Sequence, residues 1–188
     1  MPIVSAETVV LLADTTKTAG DIEEAGIIPI VQERIRSFCG HNFTVGISLA
    51  SAVTFNTTAA TIVAGASYVT EGFAAGDEIY VSGSYRNDGY HTISSVTTTT
   101  ITIASTSSVV DELSGATVLV SLVKWPDDIG YAAAQMVRYD LEERPARSAG
   151  LASQTLGPRS ESYSGNATFG YPDDLLHLLD AYRRPSFG

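Results

Sequence analysis

Residues 21–38 read DIEEAGIIPIVQERIRSF, and the spacing of apolar side chains in this stretch organises the reading of the whole chain. Ile28, Val31, Ile35 and Phe38 recur at intervals of three, four and three, flanked by Ile27, while Gln32, Glu33 and Arg36 fall on the opposite side. That period predicts an amphipathic helix with one core-facing stripe. Pro29 lies on the polar side and removes a backbone donor, which predicts a kink. Gly40 follows the last apolar residue and fits a helix stop.

A helix with one apolar face needs others to cover it, and three more helical patterns are present. Ser5 is placed to cap a short helix over 6–13 that offers Val9, Val10 and Leu12, followed by a polar turn over 14–20. Pro126, Asp127 and Asp128 suit a helix start, after which Ile129, Ala132, Ala133, Met136 and Val137 line one face to about Glu143. Asp140 falls on that face, where an ion pair with an arginine at the core edge is expected. Pro172 opens a last helix with Asp173 and Asp174 in its first turn, the stripe Leu175, Leu178, Leu179 and Tyr182, and Arg183 and Arg184 at its C-terminal end. The expected helical core is Ile28, Val31, Ile35, Phe38, Ile129, Ala133, Met136, Leu175 and Leu179.

Between the second and third helical patterns the texture changes. Residues 43–123 are rich in Thr, Ser, Val and Ile, with alternating runs at 78–82, 91–94, 100–103 and 117–123. β-branched and aromatic residues at period two predict strands, and Gly76-Asp77, Gly83-Ser84 and Asn87-Asp88-Gly89 punctuate them as turns. Short strands at this spacing suggest a compact barrel or sandwich. Residues 145–170 are Ser- and Gly-rich and read as a long arm. The expected fold class is α+β: a small bundle of about four helices built from 1–42 and 124–188, interrupted by an all-β module at 43–123, with the arm on the C-terminal side.

Composition narrows the function. The formal net charge of −10 over 188 residues makes a poor grip for nucleic acid, because affinity there comes from Lys and Arg neutralising phosphates. No run is long and apolar enough for a membrane span, and the first residues lack the pattern of a signal peptide. The single cysteine, Cys39, forms no internal disulfide and reads as a buried small hydrophobe. His41, His91 and His177 lie in separate segments without metal-type spacing. Asp127-Asp128 and Asp173-Asp174 each follow a proline at a helix start, so dipole complementation explains them. Catalytic, cofactor-binding and metal-binding residues are therefore expected to be absent, and the reading is of a non-enzyme.

Several pieces carry a resemblance. They are Ile28-Pro29-Ile30-Val31-Gln32 with Phe38-Cys39-Gly40, Trp125-Pro126 leading to Ala132-Ala133 and Met136-Val137, and Tyr139-Asp140-Leu141 with Glu143-Arg144-Pro145. The last is Gly170-Tyr171-Pro172 running through Leu179 to Tyr182-Arg183-Arg184. Together, over about 3–42 and 125–184, they resemble the head–tail adaptor (connector) proteins of tailed double-stranded DNA bacteriophages. The segment from Phe73 to Gly83, followed by Asn87-Asp88-Gly89-Tyr90-His91-Thr92-Ile93, looks like a small β module seen in various phage structural proteins. Many adaptors have only a short connection where this module stands.

The resemblance implies a virion protein, assembled in the host cytoplasm, that forms a homo-oligomeric ring, typically dodecameric, beneath the portal protein. Such a ring extends the DNA channel and receives the head-closure or tail protein, while double-stranded DNA passes without specific binding. An acidic wall agrees with that, since it repels phosphates. Within this reading Glu161, Ser162, Tyr163 and Ser164 are expected to add a strand to a neighbouring subunit. Tyr182, Arg183, Arg184, Pro185 and Phe187 are expected to dock on the portal, with the arginines projecting past the helix end. The rival is a carbohydrate- or surface-binding module carried by the β insertion, with Tyr68, Tyr80, Tyr85 and Tyr90 as its platform.

Overall fold

A computed structural model describes residues 3–64, 67–105, 108–113, 117–144, 153–156, 159–162, 167–168 and 170–184. The chain divides into two compact units, one running Asn42–Lys124 and the other combining Pro2–His41 with Trp125–Gly188.

The first unit is a closed antiparallel barrel. Its strands are β1 (Thr44–Asn56), β2 (Thr61–Ala64), β3 (Glu78–Ser82), β4 (Gly89–Val96), β5 (Thr100–Ile103) and β6 (Thr117–Val123), in the order β1-β2-β5-β4-β3-β6. The long β1 makes closure possible: its residues from Thr44 to Ala52 pair with β6, and those from Val53 to Asn56 pair with β2. Alternation along β3, β5 and β6 turns Ile79 and Val81, Ile101 and Ile103, and Val118 and Val120 inward. In a barrel this small, side chains fill the interior. Tyr68 and Phe73 join that core in an edge-to-face pair, 5.7 Å between centroids.

In the second unit, α1 (Ala6–Ala13) starts where Ser5 accepts the Thr8 N–H at 3.2 Å. Thr18 and Asp21 form a reciprocal capping box at the head of α2 (Ala19–Ala25). The helix expected over 21–38 is two helices. Gly26 adopts a left-handed conformation (φ 59°) that closes α2, and α3 (Ile27–Cys39) starts afresh. Pro29 therefore sits in a first turn, where its missing N–H costs nothing, and the expected kink there is replaced by a break at Gly26.

The buried face of α3 is also rotated from the expected stripe. Val31, Ile35 and Cys39 are buried as expected, but Gln32 and Arg36 join them, whereas Ile28 and Phe38 are half-buried. Polar residues tolerate this because they find partners. The Gln32 side chain accepts from the Ile3 N–H at 3.4 Å, and Arg36 pairs with Glu33 at 2.5 Å while stacking over Trp125 at 4.9 Å.

α4 (Asp127–Arg138) buries Ile129, Ala132, Ala133, Ala134, Met136 and Val137, and both α1 and α3 pack on it. It runs on into a π-helical turn, Tyr139–Glu143. The short strands β7 (Ser153–Leu156) and β8 (Arg159–Ser162) form one hairpin, and β9 (Ala167–Thr168) pairs with β10 (Tyr171–Pro172). The last helix is curtailed: α5 spans only Asp173–His177, and Asp180–Tyr182 is a 3-10 turn. That change of winding buries Leu176 and Leu179, leaves Leu175 half-buried and exposes Leu178.

These features correct the expected fold class. No four-helix bundle forms among the described residues. Sheet dominates instead, with ten strands against five α-helices, two of which are cut to seven and five residues. The chain is mixed α/β.

The barrel enters and leaves its neighbouring sequence at one place, since Thr44 pairs with Val123 and the Lys124 N–H donates to the Phe43 carbonyl at 2.9 Å. Replacing 46–122 with a short Gly/Ser linker should leave the helical unit folded, as read by far-ultraviolet circular dichroism. Loss of the helical signal with aggregation would show the barrel to be needed for that unit's folding.

Candidate functional site

The most deeply buried carboxylate engaged by arginines among the described residues of the helical unit is Asp140. The π turn carries the backbone through one wide winding, with Arg144 N–H donating to the Tyr139 carbonyl at 2.8 Å, and turns Tyr139 and Asp140 inward. The Asp140 carboxylate is only 3% exposed. Arg34 of α3 donates to its Oδ2 at 2.7 Å, the Tyr171 hydroxyl of β10 donates to the same oxygen at 2.5 Å, and Arg144 Nε lies 2.5 Å from Oδ1.

Tyr171 lies under both cations, with Arg144 4.7 Å and Arg34 5.3 Å from its ring centroid. Burial, and then the bond to Asp140, push the Tyr171 hydroxyl well above its ordinary range, so it stays protonated and donating. The expected ion pair of Asp140 with an arginine is thus found, as one carboxylate held by two arginines and a tyrosine. Burial of this kind requires such partners. Nothing in the local pattern marked Tyr171, which lies 31 positions from Asp140.

A second acidic anchor follows two residues later. Glu142 Oε1 accepts from the Thr15 hydroxyl, the Thr16 hydroxyl and the Thr16 N–H, each at 2.7 Å, while Arg138 reaches the other oxygen at 3.4 Å. These bonds, the Thr15 and Thr16 hydroxyls first, lower its pKa from the ordinary 4.5 to about 2. They fix the connection between α1 and α2 against the end of α4.

The outer surface of this unit carries apolar groups. Pro29, Ile30, Glu33, Arg34 and Ser37 line an open groove of about 520 Å³ along α3, with Ile30 47% exposed. On α1, Leu11 is 82% exposed beside the partly exposed Val10 and Leu12. Sequence periodicity assigned Ile30 no role, and it omitted Leu11 from the helix's packing residues without marking it as a surface feature.

The expected portal-docking residues are drawn back onto their own chain. The Tyr182 hydroxyl donates to Asp128, Arg183 lies 4.8 Å over the Phe38 ring, and the Arg184 N–H donates to the Cys39 carbonyl at 2.9 Å. The arginine side chains remain exposed, but Arg183 lies back along α3 rather than projecting past a helix end, because α5 stops early and the chain turns. Pro185 and Phe187 lie outside the described residues. Of the expected inter-subunit strand, Glu161 and Ser162 lie in β8, which pairs with β7 of the same chain, while Tyr163 and Ser164 lie outside the described residues.

In the barrel, the four tyrosines do not share a face. Tyr68 is in the core, Tyr80 and Tyr90 form a cross-strand pair 4.9 Å apart, and Tyr85 is 79% exposed. Tyr85 sits on a braced loop. Its N–H donates to Glu112 at 2.9 Å, and the buried Asn87 donates to the Val110 carbonyl at 3.0 Å and to Glu112 at 2.9 Å, and accepts the Val110 N–H at 2.6 Å.

Among the described residues, no group of three His, Cys, Asp or Glu side chains is arranged to hold a metal ion, and no helix is long and apolar enough to cross a membrane. His91 rests against the Asn87 carbonyl and His177 pairs with Asp180. His41 lies near Arg184, and burial followed by that charge lowers its pKa. Cys39 is buried, and burial raises its thiol to about 11. No protein-family model matches the chain, and no curated protein sequence matches it.

The Glu142 anchor gives a pH signature. Because its folded-state pKa is depressed, its contribution is fully present above pH about 4.5 and is lost as pH falls toward about 2. Glu142→Gln should lower stability near neutral pH by about 2 kcal/mol, the scale of a hydrogen bond to a charged group. It should also flatten the acid limb of the urea midpoint against pH. Parallel acid limbs for the two proteins would show that Glu142 does not carry this effect.

Proposed function

We propose that this chain is a structural virion protein, a ring-forming adaptor beneath the portal of a tailed bacteriophage, which joins the DNA-filled head to the tail or head-closure protein. The observation that carries this reading is the surface of the helical unit. Leu11, Ile30, Tyr131 and Leu178 are large apolar groups left uncovered on separate elements of one small unit. Scattered single apolar groups are ordinary, but a groove on one helix and a nearly bare leucine on another suit subunit contacts.

Charge supports the same reading. A chain of net charge −10, repeated around a channel, repels phosphates and lets DNA slide. The helical pieces that resemble connectors fall in the second unit, which the barrel interrupts. In this reading the barrel is an independent peripheral module.

Portal docking assigns a role to the C-terminal end. Arg183 and Arg184 are exposed and held in place by Phe38 and the end of α3, so a partner meets a cationic surface already in position. Truncation after Ala181 should leave the protein folded but abolish its co-sedimentation with purified portal rings. A truncated protein that sediments with portal rings at unchanged affinity would overturn the docking assignment. A full-length protein that fails to bind them would overturn the adaptor reading.

The braced Tyr85 favours a second reading for the barrel alone, as a module that binds carbohydrate or another surface. A glycan array probed with the full chain and with Tyr85→Ala tests it. Binding that disappears in the variant supports the second reading, and no binding by either protein removes it.

A further inference from the structure

Two exposed faces of the helical unit complement each other. α1 turns Ala6, Val9 and Ala13 inward against α4. Its outer face therefore carries Glu7, Val10 and Leu11, at positions i, i+3 and i+4, all exposed, and the exposed Asp14 follows as the left-handed cap of the helix. One acid and two apolar groups follow one another along this stripe, a second acid caps the helix beyond them, and Leu11 is 82% exposed.

The α3 groove has the opposite design. Pro29 and Ile30 form its apolar end and Arg34 its cationic end. The other charge in its lining, Glu33, is engaged by Arg36 at 2.5 Å. Arg34 and Arg144 share the single carboxylate of Asp140, so the cluster beside the groove holds one positive charge in excess. Arg34 remains 29% exposed. This groove fits an apolar side chain flanked by carboxylates, which is what α1 presents. The α1 of the same chain is fixed on α4 with Leu11 outward, so the occupant comes from another molecule.

We propose that α1 of one copy lies in the α3 groove of the next, with Leu11 against Pro29 and Ile30, and Glu7 or Asp14 toward Arg34. The inference rests on the assembly reading above and names the surfaces that carry it. Such a contact is heterologous: each copy donates one face and accepts on another, so it propagates into a ring or a filament. Burial of Leu11 supplies attraction, and the charges set the orientation.

Leu11→Glu and Ile30→Glu test this, since both side chains are exposed and glutamate suits a helix. Circular dichroism should match the unaltered chain. In sedimentation each variant should need a concentration about tenfold or more higher to assemble. An equimolar mixture of the two variants should stop at dimers, because the intact groove of one accepts the intact α1 of the other and nothing propagates. As a second readout, Leu11→Cys and Ile30→Cys chains mixed under oxidation should give the mixed disulfide; Cys39, buried with a raised thiol pKa, stays silent. An unaltered chain that assembles while both variants assemble equally well, without the mixed disulfide, overturns the contact and leaves the ring reading standing. An unaltered chain that assembles only into open filaments, with the mixed disulfide formed between the two cysteine variants, upholds the contact and overturns the ring. An unaltered chain that stays monomeric at every concentration overturns both.

Discussion

The helical unit depends on one buried negative charge. Asp140 sits at the end of α4, where a carboxylate almost removed from water would be strongly destabilising without partners. Its partners come from three places in the sequence: Arg34 on α3, Arg144 just past the π turn, and Tyr171 in β10. The aromatic ring of Tyr171 lies under both guanidinium groups, so each cation is covered on one side while Arg34 donates to Asp140 and Arg144 pairs with it. One carboxylate thus fixes the positions of α3, the end of α4 and the segment that leads into α5. It also fixes Arg34, whose remaining surface borders the α3 groove. The π turn is the local irregularity that makes this possible, consistent with the use of such turns to redirect a side chain from a regular helix.

The barrel obeys a different rule. Its core is dominated by apolar side chains, built by strand alternation and closed by a first strand long enough to serve two neighbours. In its loops, Asn87 and Glu112 hold the Tyr85 turn. A closed barrel has no free edge for unwanted pairing. This makes the module a suitable insertion into another unit, because its termini meet at the pairing of Thr44 with Val123.

The sequence revealed the elements whose physics is local. Ser5 as a cap, the start of α4 after Pro126, and strands β3, β5 and β6 follow from spacing and turn residues. β1 escaped because Gly46, Ala50 and Ala52 dilute its apolar alternation, and its pairing rests on partners far along the chain. The helix over 21–38 was misjudged where two breakers compete. Gly26, free to enter the left-handed region, ends α2, while Pro29 falls harmlessly into the next first turn. The buried face of α3 was misplaced because Gln32 and Arg36 look solvent-facing until Ile3, Glu33 and Trp125 are seen beside them. The helical bundle was overestimated for a related reason: periodicity across 173–184 does not reveal that the chain turns after His177. Asp140 was legible as a charge on a core face, but the tyrosine and the second arginine that hold it were not, since they meet it only in three dimensions.

The most direct measurement of the organising role of this carboxylate is amide hydrogen exchange, resolved by mass spectrometry, on the full chain and on Asp140→Asn. The neutral variant leaves Arg34 and Arg144 without their counter-charge. Peptides from α3, α4 and 170–177 should then lose protection together by about tenfold or more, the scale expected when a buried ion pair is broken, while peptides from β1 to β6 keep theirs. Unchanged protection across the helical unit, or equal loss in the barrel, would contradict the account.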